Sequence, residues 1–129
     1  MDDILDNSDD QEFQDIINSN MYHPTTRKEL EDIISDLLRR NVKNLNCIDV
    51  SRITNFSKLF YKKDMTDIDI SCWNVSNGQY FDKMFMESSN VTSDFSGWSL
   101  DSVESASYMF YKCTSLTTAP KLPKEKIDK

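Results

Sequence analysis

The sequence predicts an α/β repeat fold, a short solenoid of about three 25-residue coils behind an N-terminal two-helix cap. The first observation is periodicity. Between Leu45 and Leu116 six apolar columns recur at one spacing without insertion: Phe60, Phe85 and Phe110; Val50, Val75 and Leu100; Leu59, Met84 and Met109; Tyr61, Met86 and Tyr111; Ile48, Trp73 and Trp98; Leu45, Ile70 and Phe95. A fixed period of this length marks stacked units, none of which can bury its apolar face alone. The second is that two capped, amphipathic stretches precede the repeat, where the raw end of a stack needs a cover.

The elements follow in order. Ser8 and Gln11 have capping-box spacing, and Phe13, Ile16 and Ile17 lie at i, i+3, i+4, which predicts a short helix over about 9–19. Asn18-Ser19-Asn20 and Pro24 end it. Thr26 and Glu29 form a second box, followed by the stripe Leu30, Ile33, Ile34, Leu37 and Leu38, with Arg39 and Arg40 at the favourable end of the helix dipole. This predicts a helix over 26–40, and residues 1–44 read as acidic arm plus helical cap. In the repeat, Leu45-x-x-Ile48-x-Val50, Ile70-x-x-Trp73-x-Val75 and Phe95-x-x-Trp98-x-Leu100 fit the strand segment of a leucine-rich-repeat-like coil. Alternation turns Ile48 and Val50 inward with their equivalents, and turns Asp49, Ser51, Asn74, Ser76, Ser99 and Asp101 outward. Phe56, Leu59 and Phe60, with Phe81, Met84 and Phe85, then Ala106, Met109 and Phe110, have the spacing of one or two helical turns packing back on the strands. The leucine-rich-repeat Asn is replaced by Ile53, Gly78 and Val103, and Gly78 and Ala106 shrink their columns. In phase, Pro120 and Pro123 would fall at inward strand positions, so the register is expected to slip or end there, the prolines blunting an edge. The repeats therefore cover 45–123, three to four in number, and 124–129 is a charged tail.

Charge and composition narrow the function. The chain of 129 residues has net charge −7, and Asp2, Asp3, Asp6, Asp9, Asp10, Glu12 and Asp15 account for all of it, since residues 21–129 carry 15 acids and 15 bases. Direct nucleic-acid binding is disfavoured, because phosphate contacts need clustered Lys and Arg. No basic, apolar leader opens the chain and no apolar run could span a membrane, so a cytoplasmic location without membrane association is expected. Cys47, Cys72 and Cys113 are an odd set that reads as reduced thiols. One histidine, His23, cannot build a multi-His metal site, and Asp67, Asp69 and Asp94 lack the spacing and Gly of a calcium loop. Gly78 and Gly97 are isolated, so no phosphate-cradling loop exists. No nucleophile is matched to a base and no cofactor fingerprint is present, so no catalytic residue, cofactor or metal is assigned and the chain is not expected to be an enzyme.

Trp73-Asn74-Val75-Ser76-Asn77 with Met84-Phe85, and the block from Tyr108-Met109-Phe110 through Leu116 to Pro123, resemble the BspA-like leucine-rich repeat proteins. These are bacterial surface proteins and lipoproteins of the W-D-V-S-N-V-T-x-M-x-x-M-F type, found in gut bacteria, mycoplasmas and some protists. The resemblance covers about 45–123. It implies a small right-handed solenoid that binds proteins or host matrix at the cell surface, without catalytic residues.

The function expected is therefore non-catalytic protein binding. The outward strip Asp49, Ser51, Asn74, Ser76, Ser99 and Asp101 is the first candidate face. Asp9, Asp10, Glu12 and Asp15 of the arm are the second, suited to a basic, nucleic-acid-binding protein whose phosphate channel the acids would occupy, as a phage or mobile-element inhibitor of a defence enzyme would do. A truncated surface adhesin is the third reading, and self-association through the exposed C-terminal repeat edge is a further expectation.

Overall fold

The computed structural model describes residues 21–116 and residue 120. The expected helix at 9–19, with Asp9, Asp10, Glu12 and Asp15, lies outside the described residues, as do Pro123 and the charged tail.

Helix α1 spans Arg27–Arg39. The Glu29 N–H donates to Thr26 Oγ1 at 3.1 Å, and Thr26 N–H donates to the Glu29 carboxylate at 3.3 Å, so the box satisfies donors that have no partner inside the helix. The other end closes on Asn41, which turns left-handed at φ 64°, while Asn41 and Val42 donate back to the carbonyls of Leu38 and Leu37. Leu30, Ile34 and Leu37 are buried in the same core as the repeats, and Arg27 donates to the Asn55 carbonyl at 3.3 Å. One face of α1 thus covers the first unit of the stack.

Each repeat is a chain of tight corners. In unit one, Ile48, Ile53, Leu59, Lys63 and Ile68 donate their N–H to the carbonyls of Leu45, Val50, Phe56, Phe60 and Met65, each three residues back. Unit two repeats this with Trp73, Gly78, Met84 and Ser88, and unit three with Trp98, Val103, Met109 and Cys113. The first and fourth residues of these corners are mostly buried and the middle pair mostly faces solvent. That explains Leu-x-x-Leu-x-Leu in another way than a single strand. Leu45 to Ile48 is a turn, and a second turn runs from Val50 to Ile53.

The expected helical turns are also corrected. Residues 57–62, 82–87 and 107–112 are successive turns, in which Lys58, Lys62, Lys83, Glu87, Tyr108 and Lys112 have φ between 55° and 61°. A right-handed helix excludes such residues. The backbone gains another set of partners instead. The N–H groups of Phe56, Lys58, Phe60 and Lys62 donate to the carbonyls of Tyr80, Asp82, Met84 and Met86 in the next unit at 2.7–3.0 Å. Phe81, Lys83, Phe85 and Glu87 donate in the same way to Ser105, Ser107, Met109 and Tyr111. Parallel bridges Asn44↔Asp69, Asn55↔Tyr80, Asp64↔Ser89 and Tyr80↔Ser105 hold the units in 25-residue register. Tyr22, paired with Ile48, supplies one edge partner ahead of unit one.

Like residues stack on like. Phe60, Phe85 and Phe110 form a column with centroids 5.6 and 5.3 Å apart, and Phe56 lies on Phe81 at 5.2 Å. The Trp73 and Trp98 indoles donate to the carbonyls of Leu45 at 2.8 Å and Ile70 at 3.1 Å in the preceding unit, which satisfies a buried donor while the ring fills the core. Three buried polar residues join units as well. Asn46 accepts from Cys72 N–H at 2.8 Å, Ser88 donates to the Phe60 carbonyl, and Ser93 accepts from Ile70 N–H and donates to the Ile68 carbonyl. Pro120 is buried, and the expected slip or end of the register beyond Leu116 lies mostly outside the described residues.

Candidate functional site

Two faces of the stack differ in what their side chains do. On the first, the outward polar residues are engaged with their own backbone. Asp49 Oδ1 accepts the Ser51 N–H at 3.0 Å, and Asn74 Oδ1 accepts the Ser76 N–H at 3.1 Å and hydroxyl at 2.7 Å. The same device recurs at Asn55 with Ser57, Asp64 with Thr66, Asp69 with Ser71 and Asp94 with Ser96. Asn/Asp-x-Ser/Thr is thus a corner motif, in which a short side-chain acceptor satisfies the N–H two residues on. The Ser51 hydroxyl and N–H, with His23 beside them, hold the Asp49 carboxyl below the usual range. Asn74, Ser99 and Asp101 are exposed, while Asp49, Ser51 and Ser76 are half-buried. The structure brings the six predicted residues into two adjacent columns, but those at Asp49 and Asn74 serve the turns.

Asp67, Asp69 and Asp94 line one shallow hollow, yet among the described residues no group of three His, Cys, Asp or Glu side chains could hold a metal ion. The one histidine lies 3.3 Å from Asp49 Oδ2 on the surface. Cys47 is buried, Cys72 exposed and Cys113 half-buried, all as free thiols.

The second face is the arc of turns. Here Tyr61, Tyr108 and Tyr111 are between 36% and 42% exposed. Lysines stand among them. Lys58 and Lys62 lie over the Tyr61 ring at 5.7 and 5.3 Å, and Lys112 over Tyr111 at 5.5 Å. Tyr108 and Tyr111 meet edge to face at 5.4 Å. Residues 57–63, 82–87 and 107–112 carry Lys58, Lys62, Lys63, Lys83 and Lys112 against Asp82 and Glu87. Asp82 is engaged by Ser105 and Ser107, and Glu87 lies 3.9 Å from Lys62. An overall acidic chain therefore presents one basic, aromatic face. Beside it, α1 and unit one enclose an open groove of about 440 Å³ with Ile34, Leu38, Leu59 and Phe60 in its lining.

Sequence reasoning counted Tyr61, Met86 and Tyr111 among the apolar columns, whereas the structure leaves Tyr61 and Tyr111 exposed. What sequence could not register is the backbone beside them. The columns of Lys58, Lys83 and Tyr108 and of Lys62, Glu87 and Lys112 are left-handed in every unit, and none contains glycine. Each costs about 1–2 kcal/mol that glycine would avoid.

The sequence profile of the family described as "Mycoplasma protein of unknown function, DUF285" matches residues 28–122. No curated protein and no solved structure matches the chain. No helix among the described residues is long and apolar enough to cross a membrane.

Proposed function

Because this chain belongs to the DUF285 family, whose function is unknown, its role must be read from its surface, and we propose that it is a non-catalytic protein-binding module on a short solenoid of the BspA-like kind. The observation that carries this reading is the arc face. Six side chains in two columns hold left-handed backbone that only glycine adopts without strain, and strain kept at corresponding positions of three units points to a use for the side chains. The residues bet on are Lys58, Tyr61, Lys62, Lys83, Tyr108, Tyr111 and Lys112. Tyrosines give rigid contact area at low entropic cost and the lysines select an acidic partner surface. Asp49, Ser51, Asn74, Ser76, Ser99 and Asp101 stay as the alternative face.

Capture from a lysate of the producing organism tests it. A Lys58→Ser/Lys62→Ser/Lys83→Ser variant should lose a partner that wild type and a Ser99→Ala/Asp101→Ala variant retain. The reverse pattern returns the site to the outward strip, and recovery of cell-envelope material alone would favour an adhesin.

The seven acids within residues 1–20 support a second reading, inhibition of a basic, nucleic-acid-binding protein. Replacing them with Asn and Gln should then abolish binding while leaving arc-face binding intact.

A further inference from the structure

The groove between α1 and unit one shares Leu59, Phe60 and Lys63 with the arc. Two of its apolar residues, Leu38 and Leu59, are only half-buried. The carboxylates around it are already engaged. Glu31 pairs with Arg27 at 2.7 Å, and Asp36 pairs with Arg39 and Arg40. Lys58 and Lys63, by contrast, have no carboxylate partner among the described residues. The groove therefore offers apolar surface with uncompensated positive charge beside it.

The chain itself carries the complement. Phe13, Ile16 and Ile17 have the spacing of one helical face, and Asp9, Asp10, Glu12 and Asp15 accompany them without a Lys or Arg. The tether from this triad is short and well placed. Tyr22 is pinned to unit one, its N–H donating to the Cys47 carbonyl at 3.1 Å and its carbonyl accepting from Asp49 at 2.7 Å. Its hydroxyl meets Arg40 at the C-terminal end of α1 at 3.5 Å, and Leu38 and Arg39 of the groove immediately precede that arginine. The five steps from Ile17 to Tyr22 reach about 17 Å, more than the ~10 Å width of a helix. A segment tethered this closely meets the groove at an effective concentration on the order of millimolar, so a modest apolar contact aided by charge suffices.

We propose that the groove between α1 and unit one seats Phe13, Ile16 and Ile17 of the same chain, with the acids of that segment toward Lys58, Lys62 and Lys63. The arm is then a built-in competitor, which an acidic partner must displace to reach unit one's arc. The seating stands without the arc as a partner face; only the competition rests on that reading.

The test is NMR on the full chain. Nuclear Overhauser contacts from the Phe13 ring and the Ile16 and Ile17 methyls should reach Leu38 and Leu59, with an intensity independent of protein concentration. Phe13→Ser/Ile16→Ser/Ile17→Ser should abolish them and shift the amides of Leu38, Leu59 and Lys63, while the buried Trp73 and Trp98 indole signals stay in place as the check on folding. Asp9→Asn/Asp10→Asn/Glu12→Gln/Asp15→Asn should weaken the contacts several-fold at low salt. Contacts from the triad to another surface, or none, would overturn the seating. Contacts found only between labelled and unlabelled copies in a mixed sample would overturn it in favour of exchange between chains. A peptide of alternating Glu and Ser should shift the Lys58 and Lys62 amides several-fold more in the triple-Ser variant than in wild type. An equal shift would remove the competition and leave the seating, and no shift in either would count against the arc as the partner face.

Discussion

Gly78 shows how single residues set the packing. A Cβ there would lie 2.4 Å from Phe81 Cζ and 2.9 Å from Phe56 Cε2, so the missing side chain makes room for the ring stack. Unit three divides the space the other way, with Val103 in the glycine column and Ala106 in the phenylalanine column. Gly78→Ala should cost about 1–3 kcal/mol in urea unfolding. Gly78→Val with Phe81→Ala should cost less than the sum of the two single changes, because the pair copies unit three. Asp64 is a second case. The Asn90 amide, then the Thr66 hydroxyl and N–H, hold its carboxyl down at about 2, below its ordinary 3.8. A folded value below the unfolded one gives stability that is complete above the unfolded value and is lost as pH falls through the folded one. Wild type should therefore lose Tm between about pH 4 and pH 2 more steeply than Asp64→Asn, which keeps the acceptor without the charge. Equal slopes would remove Asp64 from the acid response.

Among the elements, the arc carries the heaviest packing and the strain. Phe85 meets Phe60, Phe95, Trp98 and Phe110, so Phe85→Ala should cost about 3–5 kcal/mol. Phe110→Ala should cost markedly less in the same urea titration, since that residue is only partly buried against the core. Lys83 sits at φ 58°. Lys83→Gly should keep or slightly raise stability, and Lys83→Val should lower it by about 1–2 kcal/mol beyond the lost side-chain contacts. A glycine variant that folds well and no longer binds the partner would separate the side chain's use from its cost.

At the scale of the whole molecule, α1 and Tyr22 cover the first unit of the stack. Ile34 lies at the buried face of the cover. Ile34→Asp should cost roughly 2–5 kcal/mol, from lost packing plus a buried charge, and should raise binding of an apolar dye as unit one is uncovered. Unchanged dye binding would mean that α1 is not what keeps unit one dry.

Sequence alone determined the period, the inward columns and the helix with its cap. Each of these is a local or repeating pattern, and burial of an apolar face enforces it wherever the chain stacks. Ile48, Trp73, Trp98 and Phe85 could be placed inside with no knowledge of the turns between them. The tertiary structure decided the path between those points. Spacing of i, i+3, i+4 is shared by a helix and by linked three-residue turns, and only hydrogen bonding from Lys58 to Asp82 and Lys83 to Ser107, across 24 residues, selects the turns. It also decided which polar residues are free. Asp49 and Asn74 read as outward and available, but each satisfies an N–H two residues away, while Lys58, Lys62, Tyr61, Tyr108 and Tyr111 of the arc stand exposed.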